Sequence, residues 1–119
     1  MNRFSVEYFE KNDGSLPVEI FILRQRIKMR ARIFRTLELL EIKGNELREP
    51  FSKSLGDGFF ELRVSQGKDT CRILYFYATD KRVILTTAFT KKTKRIPFSV
   101  IVQAKQYRAE YEKRIRNNV

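Results

Sequence analysis

The segment "AFTKKTKRIPFS", Ala88 to Ser99, ends an apolar run with Lys91, Lys92, Lys94 and Arg95, then meets Pro97 and a helix-like stretch. Cations this close repel one another unless something anionic sits among them. Nucleic-acid backbone phosphate is the commonest anion for such a group, and contacts to it position a strand without reading its sequence. A solvated charge run is the competing reading of the segment.

Further cations fall on strand-like segments. In "FFELRV", if Phe60, Leu62 and Val64 face a core, then Glu61, Arg63 and Ser65 face the other side. Arg63 reads equally well there as an ordinary exposed strand residue. In "TCRILYF", Arg72 alternates with Leu74 and Phe76, which puts it on an apolar face or at its margin. An arginine in that position usually has a specific anionic partner. Glu61, across a hairpin, would be a structural one. Lys53, in the loop "FSKSLGDG", is placed to join from before the hairpins.

Such a set suits phosphate chemistry. Attack of a 2′-hydroxyl on the adjacent phosphate needs a proton acceptor, charge stabilisation at the phosphate and a proton donor for the leaving oxygen. Arginine and lysine supply the second directly. A lysine among other cations has a depressed pKa and can also move protons. Other chemistries are excluded. With no histidine and a single cysteine, Cys71, the usual zinc ligand sets and the Ser-His or Cys-His pairs are ruled out. No P-loop or dinucleotide glycine pattern occurs, "GDG" at 56–58 reads as a turn, and the acids are too scattered to hold a metal. No metal and no cofactor is expected.

The 119 residues fit a single domain over 1–119, and a hydrophobic fraction of 42% suits a globular chain. A formal charge of +11 is the footprint of a nucleic-acid binder; a basic surface kept for solubility is the plainer reading. The basic segments carry no Trp, which weakens a membrane-surface role. Apolar runs are short, "MNRFSVEYFEK" lacks the core of a signal peptide, and Cys71 has no partner for an internal disulfide. A cytoplasmic protein without membrane attachment is the expectation.

These residues need elements to hold them. "FSVEYF" (Phe4 to Phe9) alternates like a strand, and "NDGS" breaks it. Ser15 is expected to cap a short helix starting near Pro17. From Arg24 to Lys43 the pattern is helical: Ala31, Phe34, Leu37 and Leu40/Glu41 recur at helical steps, Ile33 joins Leu37 and Leu40, and Gly44 ends the helix. "FFELRVS", "TCRILYFYA" and "RVILTTAFT" predict an antiparallel meander with hairpins at "QGKD" and "TDK". A last helix runs from Pro97 or Ser99 to Arg116, with Val100, Ala104, Tyr107 and Tyr111 as its apolar stripe. The order strand, two helices, three strands, helix predicts an α+β domain with helices packed on a small antiparallel sheet.

The stretch from Ser52 to Pro97 resembles the phage-derived branch of the RelE/HigB toxins. That branch carries a lysine-leucine loop, here Lys53 and Leu55; then G-hydrophobic-F/Y-E-L-R, here Gly58 to Arg63; then Y-R-hydrophobic-hydrophobic-Y, here Cys71 to Tyr75. An apolar strand ending in F-x-K-K-T follows, here Phe89 to Thr93, with Pro97 before the last helix. The first half fits the family layout more loosely. The resemblance implies a RelE-like α+β fold and a type II toxin: a metal-free endoribonuclease that cuts messenger RNA on the ribosome. It also implies an antitoxin partner from the same operon, a HigA-like helix-turn-helix protein. Carried over by position, Lys53, Arg63, Arg72, Lys91 and Lys92 are the catalytic set. Arg63 and Arg72 would hold the scissile phosphate, Lys91 and Lys92 would stabilise developing charge, and Lys53 or Lys92 would move the proton. Lys94, Arg95, Arg24, Lys28 and Arg32 would hold ribosomal RNA.

The chain departs from the family pattern in two places. It has no histidine and offers Phe98 where many relatives use a late tyrosine, and it has Cys71 where an aromatic is usual. Two other functions remain open at this level. One is a gyrase-directed, ParE-like toxin on the same fold. The other is a non-catalytic module that uses the same cations for phosphate contact alone.

Overall fold

The computed structural model describes residues 3–91 and 95–118. Strand β1 (Ser5–Tyr8) leads into helices α1 (Pro17–Leu23) and α2 (Ile27–Lys43), and a 3₁₀ turn covers Gly44–Glu46. Strands β2 (Ser52–Gly56), β3 (Phe59–Gln66), β4 (Asp69–Ala78) and β5 (Arg82–Thr90) follow, and α3 (Phe98–Asn117) comes last. One sheet holds all five strands in the order β1-β5-β4-β3-β2. The three predicted meander strands lie where the β-branched and aromatic runs put them. Among the described residues no helix is long and apolar enough to cross a membrane.

Four features differ from the sequence expectation. The sheet is mixed: β2 to β5 are antiparallel, but β1 joins the edge of β5 in parallel, Ser5 opposite Arg82 and Tyr8 opposite Leu85. A parallel pair needs a long crossover, and everything between β1 and β5 supplies it. The "SKSLG" segment, read as loop, is strand β2. Its weak strand propensity is overridden by the ladder to β3 and by a buried 2.5 Å hydrogen bond between the Ser52 and Tyr75 hydroxyls. Ser15 does not cap α1; its hydroxyl and amide both donate to Asp13 Oδ1, and the helix starts uncapped at Pro17. Helix α2 begins at Ile27, because Arg24 closes α1 instead. Its buried face is Met29, Ile33, Thr36, Leu37 and Leu40, so Ala31 and Phe34 point outward.

The sheet has two differently dressed faces. α1 and α2 cover one, where Val18, Ile22, Ile33 and Leu40 pack on Leu62, Val64, Ile73, Tyr75, Val83 and Leu85. On the other, Ala104 and Tyr107 of α3 pack on Phe9, Phe59, Leu74, Phe76 and Ile84, with Val100 and Tyr111 at the margin, as the predicted stripe requires. Gly44 ends α2 with φ +54, and the Phe4 ring fills the space a Cβ would need.

A bulge in β5 sets which residues share a face. Tyr75 pairs with Leu85 but Leu74 pairs with Thr87, leaving Thr86 as the extra residue. Before it, Ile84 lies on the α3 side; after it, Thr87 and Phe89 do. Unbroken alternation would have sent Thr87, Phe89 and Lys91 to the helical side. Thr86 is fully buried, and its hydroxyl donates to the Leu74 carbonyl at 2.8 Å. Thr86→Val keeps the shape and removes that donor. It should lower unfolding free energy by about 1–2 kcal/mol, read from urea midpoints.

Candidate active site

The α3 side of the sheet changes character along its length. Under α3 it is apolar; toward the β3–β4 turn it becomes ionic. Lys53 on β2 stands directly opposite Glu61 on β3, and Arg63 on β3 directly opposite Arg72 on β4, whose other neighbour is Phe89. Directly opposite residues share a face, so these side chains gather on one surface. Lys91 follows β5, and its amide donates to the Thr70 carbonyl at 2.8 Å, which carries the pairing one residue past the strand.

Two arginines opposite each other would repel. Glu61 resolves this. Its carboxylate is buried, and one oxygen, Oε1, accepts from Arg72 Nη1 at 2.5 Å and from Arg63 Nε at 2.9 Å. Arg72 is itself 8% exposed, so this ion pair is largely out of water. Arg63 is more open and its Nη1 also reaches the exposed Glu49 at 3.4 Å. Lys53, Arg63, Arg72 and Lys91 therefore surround a single buried carboxylate, and the positive charge is far from neutralised.

The field is felt at Lys91. Partial desolvation, and then the positive charge of Arg72, push its ammonium below the ordinary lysine value; Glu61 pulls the other way, and Arg63 and Lys53 add to the lowering. Two buried groups on this face also lack a hydrogen-bond partner among the described residues: Arg72 Nε and Thr87 Oγ1. The apolar end is braced by Arg108 of α3, which donates to the Asp57 carbonyl at 2.5 Å and to Oδ2 at 3.1 Å and lies over the Phe59 ring. That hydrogen bond, more than the charge behind it, holds the exposed Asp57 carboxyl below the usual carboxylate range.

Lys53, Arg63, Arg72 and Lys91 are thus brought together. Lys92 and Lys94 lie outside the described residues. Arg95 is exposed ahead of α3. Arg24, Lys28 and Arg32 belong to the other side of the molecule. Arg24 and Lys28 line a groove of about 490 Å³ between the α1–α2 corner and the β3–β4 turn, with Gln66, Lys68, Asp69 and Thr90. Arg32 lies in an adjoining cleft with Lys28 and Arg35, and its guanidinium donates to Gln66 Oε1 at 3.3 Å. The sequence reading offered Glu61 as a partner for Arg72 and left it out of the site. Its bond to Arg63, two residues along the same strand face, was the available signal. Thr87 gave no signal, since the bulge alone decides where it points.

Glu61→Gln keeps the shape and leaves Arg72 buried without a counter-charge. It should cost about 3 kcal/mol of stability, measured by chemical denaturation.

A family model described as phage derived protein Gp49-like (DUF891) matches residues 21–109, well over half of the chain. No curated protein matches it.

Proposed function

The chain belongs to the phage-derived Gp49-like family, and on that premise we propose that it is the toxin of a type II toxin-antitoxin pair, a metal-independent endoribonuclease acting on messenger RNA at the ribosome. The observation that carries the reading is the pair Arg63 and Arg72, set side by side by one buried carboxylate with Lys53 and Lys91 around them. A rigid double-guanidinium platform suits the non-bridging oxygens of a phosphodiester. The RelE/HigB motifs between Ser52 and Pro97 supply the ribosomal context and the expectation of a HigA-like antitoxin.

In this reading the 2′-oxygen attacks phosphorus, the P–O5′ bond breaks, and the products are a 2′,3′-cyclic phosphate and a 5′-hydroxyl. No water or metal enters. Arg63 and Arg72 bind the phosphate and offset the charge that grows on it. Glu61 positions both guanidiniums and does not touch substrate. Lys91, whose ammonium is held below the ordinary lysine value and so gives up its proton more readily, takes the 2′-hydroxyl proton, and Lys53, at the β2 side, protonates the 5′-oxygen. Lys92 offsets developing charge with the arginines, and Lys94 and Arg95 contact ribosomal RNA phosphate. Arg24, Lys28 and Arg32 contact ribosomal RNA phosphate from the groove on the helical side.

The test is induced expression of the wild type and of Arg72→Ala, with 5′ ends mapped across cellular transcripts. New cuts in frame within translated regions are expected from the wild type alone. Arrested growth with intact transcripts would favour a gyrase-directed toxin; neither arrest nor cuts would leave a binding module. In a reconstituted cleavage assay, the rate should rise with pH as Lys91 loses its proton and becomes able to accept one. That rise should come below the ordinary lysine range, because the shift is downward. Lys91→Arg should remove this limb of the pH profile along with most of the rate.

A further inference from the structure

Helix α2 presents apolar side chains to solvent. Ile27 is 73% exposed and Phe34 47%, and Leu23, at the end of α1, is 56% exposed. The helix already buries a full face against the sheet through Met29, Ile33, Leu37 and Leu40, so the core does not require a second stripe. Ile27, Ala31 and Phe34 follow the i, i+4, i+7 spacing of a helix-docking seam, and exposed Ala31 forms a notch between two larger side chains. This stripe points away from the sheet, on the opposite side from Glu61, Arg63 and Arg72.

The charge around the stripe is one-signed. Arg24, Arg26, Lys28, Arg30, Arg32 and Arg35 occur in a run with no carboxylate, bounded by Glu19 and Glu38. On the helix surface Arg30 flanks one edge of the stripe, and Lys28 and Arg35 flank the other. α2 has no acidic residue in its first turn and no side-chain cap, so these cations also oppose its own dipole. A second copy of the chain would bring cations against cations. A nucleic acid would satisfy the charge but has no use for Ile27 and Leu23, which cannot stack on bases as aromatic side chains do.

We infer that the outward face of α2 docks an acidic amphipathic helix of a partner protein. Its apolar residues would seat on Ile27 and Phe34 around the Ala31 notch, and its carboxylates would meet Arg30 and Arg35. The inference goes beyond the ribonuclease reading and does not depend on it: the partner would hold the protein from the side away from the cation cluster.

The test uses the full chain and a fluorescently labelled synthetic helix with leucines at i, i+4 and i+7 flanked by glutamates. Controls are the same residues in scrambled order and a lysine-flanked version. Anisotropy should show saturable binding of the acidic helix to the wild type. Ile27→Ser/Phe34→Ser should weaken it by about tenfold or more. Arg30→Glu/Arg35→Glu should switch preference to the lysine-flanked helix, which a folding defect would not do. Arg72→Ala should bind the acidic helix as the wild type does, whether or not it has lost cleavage. No saturable binding, equal binding of the scrambled peptide, or indifference to Ile27→Ser/Phe34→Ser would overturn the inference. So would failure of the acidic helix where phosphatidylserine vesicles or an RNA hairpin bind and lose affinity in that variant; the face would then belong to a membrane or to RNA.

Discussion

A single carboxylate oxygen shared by two arginines holds the cationic end of this sheet together. Arg63 and Arg72 sit opposite one another on adjacent strands, an arrangement that like charge opposes. Glu61, buried beneath them, accepts from both. Burying an ion pair costs desolvation, and a well-packed apolar replacement would often be at least as stable. What the pair provides is geometry: two guanidiniums fixed side by side by one carboxylate. Lysines at Arg63 and Arg72 would not form this platform, because the fork of a guanidinium can serve a carboxylate and a phosphate at once.

The platform depends in turn on the two ends of one sheet face being treated differently. α3 packs on the apolar end, pinned by Arg108 to the β2–β3 turn. The other end keeps the cations together, with Lys53 exposed at the β2 edge and Arg63 part-exposed. The Thr86 bulge then turns the last third of β5 over, which brings Phe89 and Lys91 to the same side. A small irregularity thereby decides that Lys91 meets the arginines.

The excess of positive charge is also divided. One group surrounds Glu61 on the α3 side; another lines the α1–α2 corner and the exposed stripe of α2 on the helical side. The sheet lies between them. The two groups are therefore separate surfaces, and an anion meeting one need not touch the other.

The amino-acid sequence alone determined the periodic elements: the three long strands, the α2 core residues Ile33, Leu37 and Leu40, and the α3 stripe; it offered Glu61 as one partner for Arg72, which the structure bears out. Each follows from local alternation or from a hairpin short enough to leave one register. The motifs from Lys53 to Lys91 also named the cations that meet. Tertiary structure alone decided the rest. β1 pairs in parallel because the crossover brings it back to the far edge, a long-range event with no local trace. β2 exists only because β3 and Tyr75 give its backbone and Ser52 something to bond. Phe34 is exposed because the sheet, and not the helix pattern, selects which of two apolar stripes is buried. Lys91 joins the site because one unpaired residue in β5 reverses the side to which alternation assigns everything after it.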